Sequence, residues 1–109
     1  MPHLHNACMR LDAYSVEVIH QAVCAQLGPG AQARLFGSRL NDEAKGGDVD
    51  LHILLPEDVD SPVWVASLLA AKLERQLGGR KVDVRLLTPG MTRQPVDAVA
   101  LSEGVVLWH

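Results

Sequence analysis

The chain has 109 residues, 48% of them hydrophobic, which is enough for one domain with a modest core and too few for two. Its 13 acidic and 10 basic side chains give a formal net charge of −3, which argues against a dedicated nucleic-acid binder or an anionic-membrane binder. We expect neither a signal peptide nor a membrane span, and the two cysteines lack a CxxC spacing, so a reducing, cytoplasmic setting is the expectation.

The first half of the chain predicts one helix followed by two strands. Asp12 is a candidate N-cap, and Gly28-Pro29-Gly30 is a strong helix stop. Alternating and continuous apolar runs then indicate strands on both sides of a polar loop. In chain order we expect a loose N-terminal arm over 1–10, a helix up to Leu27, a strand over 31–36, a loop over 41–47 and a strand over 49–55.

The second half predicts two helices on either side of a third strand. Ser61 and Pro62 have the chemistry of a cap and a first helical turn, and Gly78-Gly79 is typical of a helix C-terminus. The whole order predicts a single α+β (α/β) domain over 1–109, with helices packed against a small mixed sheet. The later elements are a helix over 62–77, a strand over 81–87, a helix from Pro95 to Gly104 and an apolar tail over 105–108.

The most informative residues lie around the polar loop. Gly37 permits a tight turn, and the Ser38 hydroxyl, the N–H groups that follow it and Arg39 suit phosphate oxygens. After the loop come Asp48 and Asp50, whose side chains lie on one face if the strand begins there. Paired carboxylates facing such a turn suit a divalent metal and the phosphates it carries. The pattern therefore suggests chemistry on a nucleoside triphosphate.

A third carboxylate, Asp83, lies on the next strand and shares a face with Lys81 and Arg85. If the two strands are neighbours, Asp83 comes close to Asp48 and Asp50. Three converging carboxylates repel one another, so the arrangement is stable mainly when cations lie between them or a proton is retained. Two Mg²⁺ ions about 3.5–4 Å apart would satisfy this need. The alternative is that Asp83 forms a surface ion pair with Lys81 or Arg85.

This set of residues resembles the minimal nucleotidyltransferase (MNT) branch of the DNA-polymerase-β-like nucleotidyltransferase superfamily. The family signature is a glycine–serine pair, a short gap, Asp-x-Asp and a third carboxylate on a following strand; here nine residues separate Ser38 from Asp48. The resemblance implies that three aspartates bind metal and carry catalysis, with the third deprotonating or orienting the acceptor hydroxyl. It implies that the turn binds the nucleotide. These residues are Asp48, Asp50 and Asp83, and Gly37, Ser38 and Arg39.

Members of this family use Mg²⁺ and transfer a nucleoside monophosphate, typically AMP from ATP, to an acceptor. Larger relatives carry an extra helical domain that helps to hold the acceptor, and this chain has no room for one. We therefore expect a separate helical partner. The resemblance to MNT antitoxins of HEPN/MNT toxin–antitoxin pairs implies a HEPN-type toxin in this role, with one of its tyrosines as the acceptor.

Two further functions stay open beside this one. The protein could keep the fold and neutralise its partner by contact alone, or act as a homo-oligomeric transferase on a small molecule. The Asp-x-Asp of phosphatases is disfavoured because there the aspartates follow the apolar strand, whereas residues 51–55 come after them here. His52 shares a strand face with Asp50 and is more often a structural than a catalytic histidine.

Overall fold

A computed structural model describes residues 11–36 and 49–108 of the chain. The predicted arm over 1–10 and the loop over 41–47 lie outside these residues. None of the helices in the described part combines the length and the apolar character that crossing a membrane requires. The elements are α1 (Ala13–Leu27), β1 (Gln32–Leu35), β2 (Val49–Leu54), α2 (Pro62–Gln76), β3 (Val82–Leu87), α3 (Pro95–Glu103) and β4 (Val105–Val106).

The four strands form one mixed sheet in the order β3-β2-β1-β4. β1 runs antiparallel to both of its neighbours, while β2 and β3 are parallel. Parallel strands need a long crossover connection, which α2 supplies between β2 and β3. The predicted α+β class with helices on a small mixed sheet is confirmed. The predicted apolar tail is in part a strand, because Val105 and Val106 pair with Leu35 and Arg34.

The apolar core lies on one face of the sheet, beneath α1 and α2. Alternate strand residues reach it, which is why Leu51 and Ile53 are fully buried while their neighbours lie on the other face. Burying one such side chain contributes about 1.5–3 kcal/mol. Tyr14 and Leu68 have the spacing of the apolar helix residues that face this core, yet both are exposed. The helical members of the core are Ile19, Ala22 and Val23 of α1 and Ala66, Leu69 and Leu73 of α2.

The helix ends follow local chemistry with one exception. Asp12 caps α1 as predicted, since its carboxylate accepts a 2.8 Å hydrogen bond from the Ser15 N–H. Pro62 opens α2, but Ser61 makes no side-chain cap and has a left-handed φ of 53°, so the predicted serine cap is wrong. Gly79 follows α2 with φ of 91° and donates its N–H to the Glu74 carbonyl, which is a glycine-type helix end.

Gly104 lets α3 lie close to the sheet. A Cβ atom added at this position would be 2.5 Å from the Ala100 carbonyl oxygen and 3.1 Å from the Arg34 Cβ atom. Only a residue without a side chain fits between the last turn of α3 and β1 at this distance. The predicted end of the last helix at Gly104 is therefore met, and the reason includes a close tertiary approach.

Candidate functional site

Asp50 and Asp83 lie side by side near the beginning of the two parallel strands. They are register partners in the β2–β3 pairing, where neighbouring strands are about 4.8 Å apart. Val49, Leu51 and Val82, their neighbours along the chain, are buried in the core, so both carboxylates lie on the opposite face of the sheet. The Asp83 side chain is 61% exposed. Two carboxylates thus share one open face.

The other predicted site residues, Gly37, Ser38, Arg39 and Asp48, lie outside the described residues, and their roles stay predictions. The two described residues that flank this segment both lie beside Asp50. Phe36 donates its backbone N–H to the Asp50 carbonyl at 3.1 Å, and Val49 precedes Asp50 in β2. Both residues that adjoin the segment 37–48 therefore lie next to Asp50.

Asp83 has a lysine neighbour. The Lys81 ammonium nitrogen lies 3.4 Å from a carboxylate oxygen of Asp83, and both side chains are largely exposed. Exposed ion pairs of this kind contribute about 0–1 kcal/mol, so this one is too weak to hold Asp83 away from other partners. The sequence allowed an ion pair of Asp83 with Lys81 or with Arg85, and the pair with Lys81 is present. Arg85 pairs elsewhere, with Asp97.

The carboxylates fit a hard divalent cation in chemical type. Magnesium prefers oxygen ligands and is commonly held by one or two carboxylates together with phosphate oxygens. Asp50 and Asp83 offer such oxygens from adjacent strands. Across residues 11–36 and 49–108, no group of three or more His, Cys, Asp or Glu side chains could hold a metal ion. The three-carboxylate site of the sequence analysis therefore depends on Asp48, which lies outside these ranges.

A second polar layer lies next to this pair on the same sheet face. His52 is the register partner of both Arg34 and Arg85, so the three side chains form a row across β1, β2 and β3. The row is two residues further along each strand than Asp50 and Asp83, a distance of roughly 7 Å. Asp97 of α3 covers the row from above.

Asp97 is the centre of this layer and is fully buried. Arg85 donates to both of its carboxylate oxygens, from Nε at 2.8 Å and from Nη2 at 2.7 Å. The Gln94 backbone N–H donates a third bond at 2.7 Å, which belongs to the capping box of α3. The Arg85 guanidinium and these bonds hold the pKa of Asp97 far below its usual range. Asp97 is therefore a well-paired anion at neutral pH that fastens α3 to β3.

His52 completes the layer as a buried neutral ring. Burial lowers its pKa, and the hydrogen bond with Asp97 opposes this effect without reversing it. Because the Asp97 carboxylate only accepts, the Nε2–H of His52 donates to it at 2.8 Å. Nδ1 is then an acceptor, and it has no hydrogen-bond partner in the described part of the chain. The interpretation of His52 as a structural histidine agrees with this placement.

Asp97 is the polar residue that the sequence analysis missed. One local signal was available, since Gln94 and Asp97 flank the start of a helix that begins with Pro95 and so have the spacing of a capping box. That signal predicts a helix start and nothing more. The contact with His52 joins residues 45 positions apart and depends on how α3 packs on the sheet.

Comparison with known proteins agrees with the fold. The family model of the nucleotidyltransferase domain matches residues 16–105, which is most of the chain. Curated proteins gave no match to this chain.

Solved structures of toxin–antitoxin complexes are similar in fold. One is a tri-AMPylated Shewanella oneidensis HEPN toxin in complex with MNT antitoxin, at 22% identity and a TM-score of 0.62, over 87% of this chain and 70% of that one. A second is the toxin–antitoxin MntA–HepT, at 20% identity and a TM-score of 0.62, over 89% and 72% of the chains. A third is a toxin–antitoxin with AMP-PNP, at 21% identity and a TM-score of 0.60, over 90% and 73%. These likenesses show a shared fold. With its family model matched over residues 16–105, the chain belongs to the nucleotidyltransferase domain family.

Proposed function

We propose that this nucleotidyltransferase is Mg²⁺-dependent and moves AMP from ATP to a hydroxyl group of a partner protein. The observation that carries the proposal is the pairing of Asp50 and Asp83 on one open sheet face, in a chain of this family. A protein of this fold with neutral or apolar residues at these two positions could still bind a partner protein. Those residues could not take part in Mg²⁺-dependent AMP transfer. The pair therefore favours an active enzyme over a protein that acts by contact alone.

Asp48, Asp50 and Asp83 would hold the magnesium, and Gly37, Ser38 and Arg39 would hold the triphosphate. Bound magnesium neutralises phosphate charge and stabilises the charge that develops during transfer. The exposed Asp83 carboxylate orients the acceptor hydroxyl and receives its proton. Because Asp83 is open to solvent, it can pass that proton to water after each turnover.

The reaction that we propose is an in-line displacement at the α-phosphorus of ATP. The acceptor oxygen forms a bond to this phosphorus while the bond from it to the bridging oxygen of the β-phosphate breaks. Pyrophosphate leaves with the electron pair of that bond, and the hydroxyl proton passes to Asp83. The products are an AMP ester of the acceptor and pyrophosphate.

The partner that we propose is a HEPN-type toxin, with a tyrosine as the acceptor, in the cytoplasm. Support comes from the relatives, since one is a complex of an MNT antitoxin with a tri-AMPylated HEPN toxin and another holds AMP-PNP. These ligands and partners are properties of those proteins. Their extension to this chain is a proposal, which a transfer assay tests.

The assay mixes the protein with radiolabelled ATP and a purified candidate HEPN-type partner, with Mg²⁺ or with EDTA. We expect label on the partner only with Mg²⁺, and a loss of at least a hundredfold in Asp50→Asn and Asp83→Asn. Asp60→Asn is the matched control, because Asp60 is an exposed aspartate in the connection between β2 and α2.

Three results would decide against the proposal or the residues assigned in it. If the wild type labels no partner, yet binds and neutralises the toxin as well as Asp50→Asn does, the protein acts by contact alone. If label reaches a small-molecule acceptor and no protein, the stand-alone transferase is correct. Retained transfer in Asp50→Asn and Asp83→Asn would reject the assigned residues.

A further inference from the structure

β3 is an edge strand of the sheet, and no strand within residues 11–36 and 49–108 pairs with its outer side. On its inner side, the Val49 N–H donates to the Lys81 carbonyl and the Leu55 N–H donates to the Leu87 carbonyl, both at 2.9 Å. Backbone groups of successive strand residues point to alternate sides. The N–H and C=O groups of residues 82, 84 and 86 therefore point outward, away from β2.

Within the part of the chain that the structure describes, one of these outward groups is bonded to a side chain. The Val82 N–H donates to a carboxylate oxygen of Glu74 on α2, at 3.0 Å. For Val84 and Leu86, the structure shows no partner for the outward groups among residues 11–36 and 49–108. Leu86 is nevertheless only 3% exposed. Backbone groups so placed favour a partner that supplies hydrogen bonds, and an open row of them is a template for another strand.

A groove runs between this edge and α2. It has a volume of about 320 Å³, and small side chains on α2 form its opposite wall. Asp83 also lines it, so the groove and the proposed site share a residue. Its other lining residues are Pro62, Val63, Ala66, Ser67 and Ala70 of α2, Val82, Val84, Arg85 and Leu86 of β3, and Met91.

We propose that the outer edge of β3 binds the acceptor as an extended polypeptide segment, which adds to the sheet as a fifth strand beside Asp83. Val84 and Leu86 present two donors and two acceptors at the repeat of a strand, about 7 Å apart. An extended backbone matches such a row at every second residue, which is the basis of peptide recognition by strand addition. The proposal rests on the proposed function only in naming the bound segment as the acceptor.

The first turn of α2, beside the groove, fits a protein partner. Val63, which lines the groove, is 79% exposed, and Trp64 next to it in the chain is 64% exposed, although the same helix places Ala66, Leu69 and Leu73 in the core. Exposed tryptophan is typical of protein interfaces, where its large surface is covered by the partner. A second copy of this chain fits less well, because pairing two β3 edges would cover Asp83, which the proposed reaction needs open.

Strand addition would also place the acceptor hydroxyl for the reaction. A segment that pairs with Val84 and Leu86 runs past Asp83, so a hydroxyl-bearing side chain on the sheet face of Asp83 would lie near its carboxylate. Transfer is then the same in-line displacement: AMP moves to the side-chain oxygen, pyrophosphate leaves and the proton passes to Asp83. Backbone pairing would set the position of the acceptor with little dependence on its sequence.

The test uses a display library of short random peptides with a fixed tyrosine, selected on the full chain. Ser67→Arg places a long cationic side chain in the groove from an exposed helix position. Ala71→Arg is the matched control on the same helix, exposed and outside the groove. We expect selected peptides to bind the wild type and Ala71→Arg equally, and Ser67→Arg at least tenfold more weakly.

Amide hydrogen exchange gives an independent measurement on the unaltered protein. Bound peptide should slow the exchange of the Val84 and Leu86 amides at least tenfold and leave those of α1 unchanged. Unchanged exchange at both residues would overturn the proposal, as would equal binding to Ser67→Arg or the absence of any selected peptide. A wild-type dimer that Ser67→Arg dissociates, without peptide binding, would assign the edge to a second copy and also overturn it.

The same peptides separate this proposal from the proposed function. Peptide that binds the β3 edge but takes no label from ATP and Mg²⁺ would count against the transferase and leave strand addition standing. If the wild type and Ser67→Arg label the peptide equally, the transferase proposal stands and strand addition is rejected.

Discussion

Asp83 and Asp97 act on the same face of one sheet in opposite surroundings. Asp83 is 61% exposed, with a lysine contact at 3.4 Å. Asp97 is fully buried and accepts from Arg85, His52 and the Gln94 backbone. A carboxylate that is fully bonded stabilises the fold and has no capacity left for a ligand. An open one adds little stability and stays available for metal, substrate or a proton.

Removing the buried carboxylate should have the largest effect on stability. Asp97→Ala leaves the Arg85 guanidinium and the His52 Nε2–H without their acceptor, and breaking such a pair costs about 3–5 kcal/mol. Urea denaturation followed by circular dichroism measures the change. A loss no larger than that of Asp83→Ala would show that the two sites do not differ as described.

Changing the geometry of the Arg85–Asp97 ion pair should have the next largest effect on stability. Arg85→Lys keeps the charge but cannot donate from two nitrogens to both oxygens of Asp97. One charge-assisted bond is lost, which corresponds to about 1.5–3 kcal/mol of unfolding free energy. Lys81→Arg is the control, since its partner is exposed, and should leave stability unchanged. Equal stability of Arg85→Lys and wild type would mean that charge alone holds α3.

The stability that the Asp97 carboxylate contributes should be lost gradually as the pH falls. Because the pKa of Asp97 is lowered in the folded state, its contribution is complete above the unfolded value of about 3.9 and is lost as the pH falls below it. The slope for this one group is at most about 1.4 kcal/mol per pH unit. Unfolding free energy measured from pH 5 to pH 2.5 should fall less steeply in Asp97→Asn. Asp60→Asn should keep the wild-type slope; an Asp97→Asn slope equal to the wild type would contradict the assignment.

The exposed carboxylate should have the smallest effect on stability. Asp83→Asn removes a weak surface contact, so the unfolding free energy should stay within about 0.5 kcal/mol of the wild type. Its transfer activity should nevertheless be lost in the labelling assay. A variant that is strongly destabilised would show Asp83 to be a structural residue and weaken its proposed role.

Local signals explain what the sequence could predict about the fold. Gly28, Pro62 and Gly79 mark helix boundaries through their own backbone preferences, and the alternation around Asp50 and Asp83 places both on one sheet face. This alternation, together with the parallel register, is why part of the candidate site could be anticipated. The remaining site residues lie outside the described part of the chain.

Tertiary packing explains what the sequence could not predict. The two-residue strand β4 is too short to show a period, and its pairing depends on β1. Tyr14 and Leu68 have apolar spacing in their helices, yet both side chains lie outside the core. The bonds of Asp97 likewise require α3 to lie over His52, which no local pattern specifies.

Gly104 gives the protein a point of low mutational tolerance outside the Asp50–Asp83 pair. The last turn of α3 approaches β1 where glycine alone fits, and the same helix carries Asp97 to its partners. A methyl group at this position would act as a wedge under the helix, and the displacement would reach Asp97 seven residues earlier. Random mutagenesis scored by activity should therefore single out this glycine, and a variant library meant to alter specificity should hold it fixed.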